Sequence, residues 1–122
     1  MKLEFNADKS IYLQIAESIE DEILKGVIME EGQVLSTNEM AAMYRINPAT
    51  AAKGINILVT QGILYKKRGI GMFVATGAGK KIKDNRSETF YNRFIKPLLE
   101  EAKSLELSQD DIIAMLRDGG KQ

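Results

Sequence analysis

The chain has 122 residues, with 17 Lys and Arg against 17 Asp and Glu, and it contains no cysteine and no histidine. This composition excludes disulfides, thiolate nucleophiles, serine–histidine dyads and the usual zinc and haem sites. The length suits one main domain with a small appendage. No apolar run approaches the roughly 18 residues of a membrane helix, and the first residues have no apolar signal region. We therefore expect a cytoplasmic protein without a cofactor, a metal or a membrane partner.

The zero net charge conceals an uneven distribution. Residues 1–44 contain three basic and nine acidic side chains, and residues 87–122 contain five and seven. Residues 45–86 contain nine basic side chains and Asp84 as the single acidic one. A basic middle third of this kind favours a polyanionic partner, although basic solvated faces are also common.

Two helices are predicted before residue 45. Isoleucine recurs at every fourth position from Ile11 to Ile23, with acidic residues on the other side, which indicates an amphipathic helix that ends near Gly26. Ser36 and Glu39 form the S-x-x-E pattern of a capping box. A short second helix is therefore predicted to begin at this serine.

A third helix and a β-hairpin follow. Asn47 is a good N-cap and Pro48 suits the first helical position, so we expect a helix from about residue 48 to residue 61. Two short β-prone segments, residues 63–66 and 72–75, flank a turn that contains two lysine or arginine residues and two glycines. The pattern predicts a hairpin with a basic tip.

The last part of the chain is predicted to be helical. Residues 77–83 combine two glycines with clustered lysines, which favours a linker between a domain of residues 1–76 and a helical region of residues 84–122. Apolar residues at helical spacing predict one longer helix that is kinked at Pro97, and Ser108 begins a second one. The predicted fold is mostly α with a small β-hairpin.

The outer face of the third helix is the first functional signal. Ala51, Ile55 and Leu58 lie on one side and must pack, whereas the opposite side has only small or polar residues: Ala49, Thr50, Lys53, Asn56 and Thr60. Such a face can lie close to the DNA major groove, although an ordinary solvated helix would look the same. The basic hairpin directly after it favours DNA, because a recognition helix followed by a wing is the order of a winged helix-turn-helix.

Three motifs between Ile11 and Val74 stand in the order of a known DNA-binding domain. They are IYLQI at 11–15, GQVLSTNEMA at 32–41 and GILYKKRGIGMFV at 62–74. With these motifs the chain resembles the winged helix-turn-helix domain of the GntR superfamily of bacterial transcription regulators. INPATAAK at 46–53 is similar to the YtrA-like branch, which has a short two-helix tail. The resemblance implies a non-enzymatic repressor that binds a palindromic double-stranded DNA operator as a homodimer.

The candidate DNA-binding residues fall at the start of the second helix, on the third helix with the turn before it, and on the hairpin. They are Ser36, Thr37, Asn38, Arg45, Asn47, Ala49, Thr50, Lys53, Asn56, Lys67, Arg68, Gly69 and Gly71. The chain departs from the family at Asn38, Pro48 and Ala52, where many relatives have arginine. These departures imply weaker binding, or a different operator read through asparagines at positions 38, 47 and 56.

The candidate dimerisation residues form an apolar stripe along the last two helices. This region is too short to bury the stripe alone, so we expect a second copy to cover it. The stripe consists of Phe90, Phe94, Ile95, Leu98, Leu99, Ala102, Ile112 and Leu116. The same short tail leaves little room for a small-molecule pocket, so the effector stays unknown.

A second hypothesis is a winged-helix module that binds another protein, with weak or no specific DNA binding. The missing arginines and the apolar Ile57 and Val59 favour this alternative. An enzyme is not supported, because no constellation of candidate catalytic groups is present.

Overall fold

The structure is a computed structural model that describes residues 10–119. Its elements are α1 Ile11–Leu24, β1 Gln33–Val34, α2 Thr37–Tyr44, α3 Pro48–Thr60, β2 Leu64–Lys67, β3 Gly71–Val74, α4 Ala78–Phe90, a π-helical turn Tyr91–Ile95, α5 Lys96–Ser104 and α6 Gln109–Asp118. The chain divides into two compact units between Asp84 and Asn85. Residues 1–9 of the predicted first domain and residues 120–122 of the predicted helical region lie outside the described residues.

The core of the first unit forms where α1 and α3 cross closely. Ile15 on α1 and Ile55 and Leu58 on α3 are at most 2% exposed. Gly54 permits this approach, since a Cβ at this position would lie 2.7 Å from the Tyr12 carbonyl oxygen and 3.1 Å from the Cβ of Ile15. The two helices therefore meet at a residue without a side chain, and this contact sets the position of α3.

Local capping explains where the two helices next to this core begin. The Ser36 hydroxyl accepts a hydrogen bond from the backbone N–H of Glu39 at 3.1 Å, and the Ser36 N–H donates to the Glu39 carboxylate at 3.0 Å. The Asn47 side-chain oxygen accepts from the backbone N–H two residues later at 2.8 Å. Both predicted helix starts are confirmed. Arg45 ends α2 in the left-handed conformation with φ 53°, which makes the turn to α3 short.

A small antiparallel sheet packs beside these helices. Its strand order is β1-β3-β2, with Leu64 opposite Val74 and Lys66 opposite Met72. Leu64 and Val74 are at most 1% exposed, so one face of the hairpin belongs to the core. The predicted hairpin is confirmed. The sequence does not predict β1, because two residues are too few to show alternation.

The predicted linker at residues 77–83 is wrong. The chain forms α4 from Ala78 onward, and Ala78 and Ile82 are both 0% exposed and belong to the hydrophobic core of the first unit. These residues lie one helical turn apart and therefore share a face of the helix. Two buried apolar side chains are enough to anchor a segment whose other residues are glycine and lysine. The first unit consequently ends at Asp84 instead of at residue 76.

The second unit contains the predicted helices with an added irregularity. A π-helical turn ends just before Pro97, where the sequence predicts a kink and where proline cannot donate a backbone hydrogen bond. The predicted second start is confirmed, since the Ser108 hydroxyl accepts from the Asp111 backbone N–H at 3.0 Å. Among the described residues of this unit, Ala102 is the buried side chain.

Two glutamates ahead of β1 hold the chain segment that leaves the sheet. Glu31 accepts hydrogen bonds from the Tyr65 hydroxyl and from the Thr76 hydroxyl, the latter at 2.8 Å. Glu30 accepts from the backbone N–H of Gly77 at 2.6 Å. The hydrogen bond from Tyr65, followed by that from Thr76, lowers the pKa of Glu31. The loop before β1 is thus joined to the end of β3 and the start of α4.

The first prediction concerns the contact between α1 and α3. Gly54→Ala should lower the free energy of unfolding by about 1–3 kcal/mol, because the added methyl group meets backbone and forces the helices apart. This loss of stability has the opposite sign to the effect of helix propensity, which favours alanine over glycine by about 1 kcal/mol. Urea unfolding followed by circular dichroism measures the change. The matched control is Gly79→Ala on α4, where the nearest atom to a Cβ is a Glu30 carboxylate oxygen at 3.8 Å. The control should be neutral or stabilising, and a Gly54→Ala variant as stable as the wild type would contradict the close contact.

The second prediction concerns pH. A carboxyl group with a lowered pKa in the folded state stabilises the fold fully above its unfolded value of 4.5, and this contribution disappears as the pH falls through the lower folded pKa. Glu31→Gln should therefore be less stable than the wild type at about pH 7, and the difference should be smaller at about pH 3. Unfolding curves across this range test the sign. The control Glu88→Gln, at an exposed position on α4, should show no such closing gap. An equal gap for Glu31→Gln at both pH values would contradict the assignment.

Candidate nucleic-acid interface

Three separate parts of the first unit border one depression of about 300 Å³, which we call the wing cleft. The start of α2, the middle of α3 and the hairpin contribute its lining: Ser36, Thr37, Asn38, Ile55, Asn56, Lys66, Gly71 and Met72. The polar groups among these residues are hydroxyls, amides and one ammonium group, and none is acidic. Such groups are suited to contact phosphates and base edges.

The outer face of α3 lies next to this cleft. It forms a shallow depression of about 610 Å³ that is bordered by Ala49, Ala52, Lys53, Asn56, Ile57, Thr60 and Gln61. The opposite side of the helix contains the buried Ala51, Ile55 and Leu58. The predicted division of this helix into a packed side and an open side is confirmed. Asn56 borders both depressions and therefore stands at the centre of the candidate interface.

The lysines of β2 point to opposite faces of the hairpin. The Lys67 ammonium lies 4.4 Å from the centre of the Phe73 ring and 5.9 Å from that of Tyr65. Lys66 stands opposite Met72 and borders the wing cleft. The predicted DNA-binding residues include Lys67 and not Lys66. Strand alternation contains the signal that the two differ, but only the burial of Leu64 shows which face is which.

Lys53 reaches toward α1 from its exposed position on α3. Its ammonium group lies 4.1 Å from the centre of the Tyr12 ring. A cation–π contact at an exposed site is worth about 0.5–1 kcal/mol. The ring therefore orients the ammonium group without preventing its exchange to a nearby phosphate.

The remaining predicted residues occupy the turn and the wing tip. Arg45 is exposed in the turn between α2 and α3, while the Asn47 side-chain oxygen is already used as a helix cap. Thr50 is half-buried in the first turns of α3. Arg68 and Gly69 are exposed at the hairpin tip.

Gly71 is favoured by its backbone conformation and lies close to the Gln33 side chain. The Gln33 side-chain amide donates to the Ile70 carbonyl at 3.3 Å, and a Cβ at Gly71 would lie 2.6 Å from that same nitrogen. Gly71 also has φ 145°, a conformation that side chains disfavour. The glycine thus lets β1 support the wing tip from behind.

The start of α2 contains a capping box, and the Ser36 hydroxyl proton is left to donate outside it. The hydrogen bond from the Ser36 backbone N–H is the main cause of the lowered pKa of Glu39, so this carboxylate occupies a position that a phosphate would otherwise favour. The Ser36 oxygen accepts within the capping box, which leaves its hydroxyl proton to donate outward. The groups at this end of the cleft that could contact a phosphate are therefore the hydroxyls and Lys66.

The fold and this site together define a winged helix-turn-helix protein of the kind that regulates transcription. Residues 11–74 match the family described as bacterial regulatory proteins, gntR family. The match covers more than half of the chain, and the chain belongs to this family. It is a DNA-binding transcription regulator and not an enzyme. Among residues 10–119, the structure contains no helix with the length and hydrophobicity that a membrane span requires.

Individual relatives extend the similarity beyond the winged domain. The HTH-type transcriptional regulator YhcF of Bacillus subtilis is 26% identical over 93% of this chain and 92% of its own length. The HTH-type transcriptional repressor YtrA of the same organism is 27% identical over 75% of this chain and 70% of its own. The expected resemblance to GntR regulators that include YtrA is confirmed.

Solved structures agree with the fold. A GntR-family transcriptional regulator from Bacteroides thetaiotaomicron is 37% identical, with a TM-score of 0.71 over 88% of this chain and 94% of that one. The DNA-binding domain of AraR in complex with operator ORX1 is 31% identical, with a TM-score of 0.53 over 62% of this chain and 96% of that one.

Proposed function

We propose that this regulator is a cytoplasmic repressor that binds a palindromic operator as a homodimer. The wing cleft is the observation that carries the proposal, since hydroxyl, amide and ammonium groups from three elements converge there beside the open face of α3. The naming of YtrA as a repressor and the operator complex of AraR support the same function.

In the proposed complex α3 lies in the major groove. The helix has 13 residues and is therefore about 20 Å long, and a helix fits the roughly 12 Å wide groove. Ala49 and Asn56 would face base edges, while Ser36 and Lys66 would contact the adjacent backbone. Arg68 and Gly69 at the hairpin tip would reach the neighbouring minor groove.

The second unit supplies the surface for the proposed dimer. Phe90, Phe94 and Leu116 are 52%, 53% and 70% exposed in the single chain. Burying one such side chain gains about 1.5–3 kcal/mol, so several of them together favour association. We propose a second copy as the occupant, because a two-fold axis covers both apolar stripes with each other.

The predicted members of this stripe are not equally available. Leu98 and Leu99 are 37% and 38% exposed, and Ile95 and Ile112 are half-buried. Ala102 is only 6% exposed in the single chain, so its methyl group is already covered and adds little contact area. The proposed interface therefore consists of the aromatic and leucine residues, without Ala102. A two-fold dimer of this kind predicts an operator with two inverted half-sites.

The third prediction separates the two lysines of β2. Lys66→Ala should weaken binding to the regulator's own upstream DNA and to a scrambled duplex about equally, by roughly fivefold to tenfold, and should reduce the salt dependence by about one phosphate contact. Lys67→Ala is the matched control and should have a smaller effect, because its ammonium group lies over the Phe73 ring. Fluorescence anisotropy at low and moderate salt measures both.

The same titration distinguishes the two candidate functions. Selective, salt-sensitive binding by the wild type supports the operator-binding function. Binding to neither duplex at either salt would overturn it in favour of a protein-interaction module. The complex of such a module with its protein partner would hold or strengthen as salt rises, because an apolar interface behaves in this way.

The fourth prediction concerns the dimer. Phe94→Glu combined with Leu116→Glu should convert a dimer into a monomer, because both side chains are exposed in the single chain and the charges would face each other across the two-fold axis. Sedimentation velocity at micromolar concentration measures the mass. Val27→Glu, at a side chain of the first unit that is 68% exposed, is the control and should stay dimeric. A wild-type chain that sediments as a monomer would refute the proposed dimer.

A further inference from the structure

We propose that Asn56 reads an adenine in each operator half-site and that the centre of the half-site is consequently an A·T pair. This inference rests on the proposed operator binding and adds the identity of a base to it. It follows from which groups α3 offers to the major groove and which of them the protein already uses.

The recognition helix lacks the usual readers of guanine. Guanine is most often recognised by arginine, or by lysine, through two acceptors on its major-groove edge. Helix α3 contains no arginine, and its single cation is Lys53. The Lys53 ammonium is directed toward α1, since it lies 4.1 Å from the Tyr12 ring centre. The centre of the helix face is left to an amide.

Asn56 is the amide that remains available in the middle of this face, since Gln61, which also borders the depression, lies at the C-cap of α3. The side-chain oxygen of Asn47 accepts from the backbone N–H of Ala49 and caps α3. Asn38 lies in the first turn of α2, and the first helix of a helix-turn-helix crosses the DNA backbone. The Asn56 side chain is exposed and has no hydrogen-bond partner among the residues that the structure describes. Its carbonyl and NH₂ groups match the N6 donor and N7 acceptor of adenine.

The neighbours of Asn56 allow its short side chain to reach a base. Ala52 and Ala49 lie about one and two turns before it on the same face, and both border the same depression. A methyl group at each position lets the helix approach the floor of the groove. Longer side chains there would hold the Asn56 amide away from the bases, and arginines at these places would read the bases themselves.

Selection from a random-sequence duplex library tests the inference. The wild type should select A·T at one position of each half-site, and Asn56→Ala should accept any base at that position alone. Asn85→Ala, at an exposed asparagine of α4 outside the cleft, should select the same sequence as the wild type. Alanine favours helix more than asparagine does, so the variant at the exposed position 56 keeps the fold.

A second measurement uses the wild type and one altered atom. Replacement of the selected adenine by 7-deazaadenine removes the N7 acceptor and should weaken binding by the wild type about tenfold. The same replacement should leave the affinity of Asn56→Ala unchanged. Guanine at the position that Asn56→Ala relaxes, or an equal loss for both proteins, would overturn the inference while leaving operator binding intact. Failure of the wild type to retain any duplex at low salt would instead overturn the proposed function, and the inference with it.

Discussion

The close approach of α1 and α3 at Gly54 is the constraint on which the rest of the first unit depends. A Cβ there would lie 2.7 Å from the Tyr12 carbonyl oxygen, so the two helices pack too closely for a side chain at this position. Separation or sliding of the helices would break the contact that surrounds Ile15 and Ile55. This contact fixes the rotation of α3 about its own axis. The buried side of α3 faces α1, and the side with Asn56 consequently faces away from the core.

The hairpin and the loop before β1 complete the site around this fixed helix. Leu64 and Val74 place one face of the sheet on the core, which directs Lys66 toward the wing cleft. Glu30 and Glu31 then hold the chain as it leaves β3. The groups of the candidate interface therefore lie at the polar margin of the hydrophobic core, and residues of that core position them.

The cations of this interface are few, and two of them lie against aromatic rings. Lys53 lies over Tyr12 and Lys67 over Phe73, each at a cost to DNA contact of about 0.5–1 kcal/mol. A single winged domain should accordingly bind DNA weakly. In the proposed dimer, joining two domains through the second unit would raise the effective concentration of the second half-site and offset this weakness. In that dimer the exposed aromatic residues of the second unit would contribute to DNA binding.

Features encoded by a few adjacent residues could be predicted from the sequence. Capping boxes at Ser36 and Ser108 and the cap at Asn47 depend on partners two or three residues away, so the helix starts were correct. Helical periodicity separated the packed and open sides of α3, and the motif order predicted the GntR family. These properties are local or repeat along the chain, and no knowledge of distant contacts is needed to recognise them.

Tertiary structure alone decided the features that depend on distant partners. Pairing with β3, some forty residues further along the chain, makes Gln33–Val34 a strand. Burial in the core turns the expected linker into the first turns of α4, because Ala78 and Ile82 find a hydrophobic surface there. The same core decides that Lys66, and not Lys67, borders the wing cleft. Apart from β1 and the first turns of α4, the sequence alone determined which segments form helices and strands and to which family the chain belongs. Packing determined which side chains face the site, because the direction of a side chain depends on contacts with residues that are distant in the sequence.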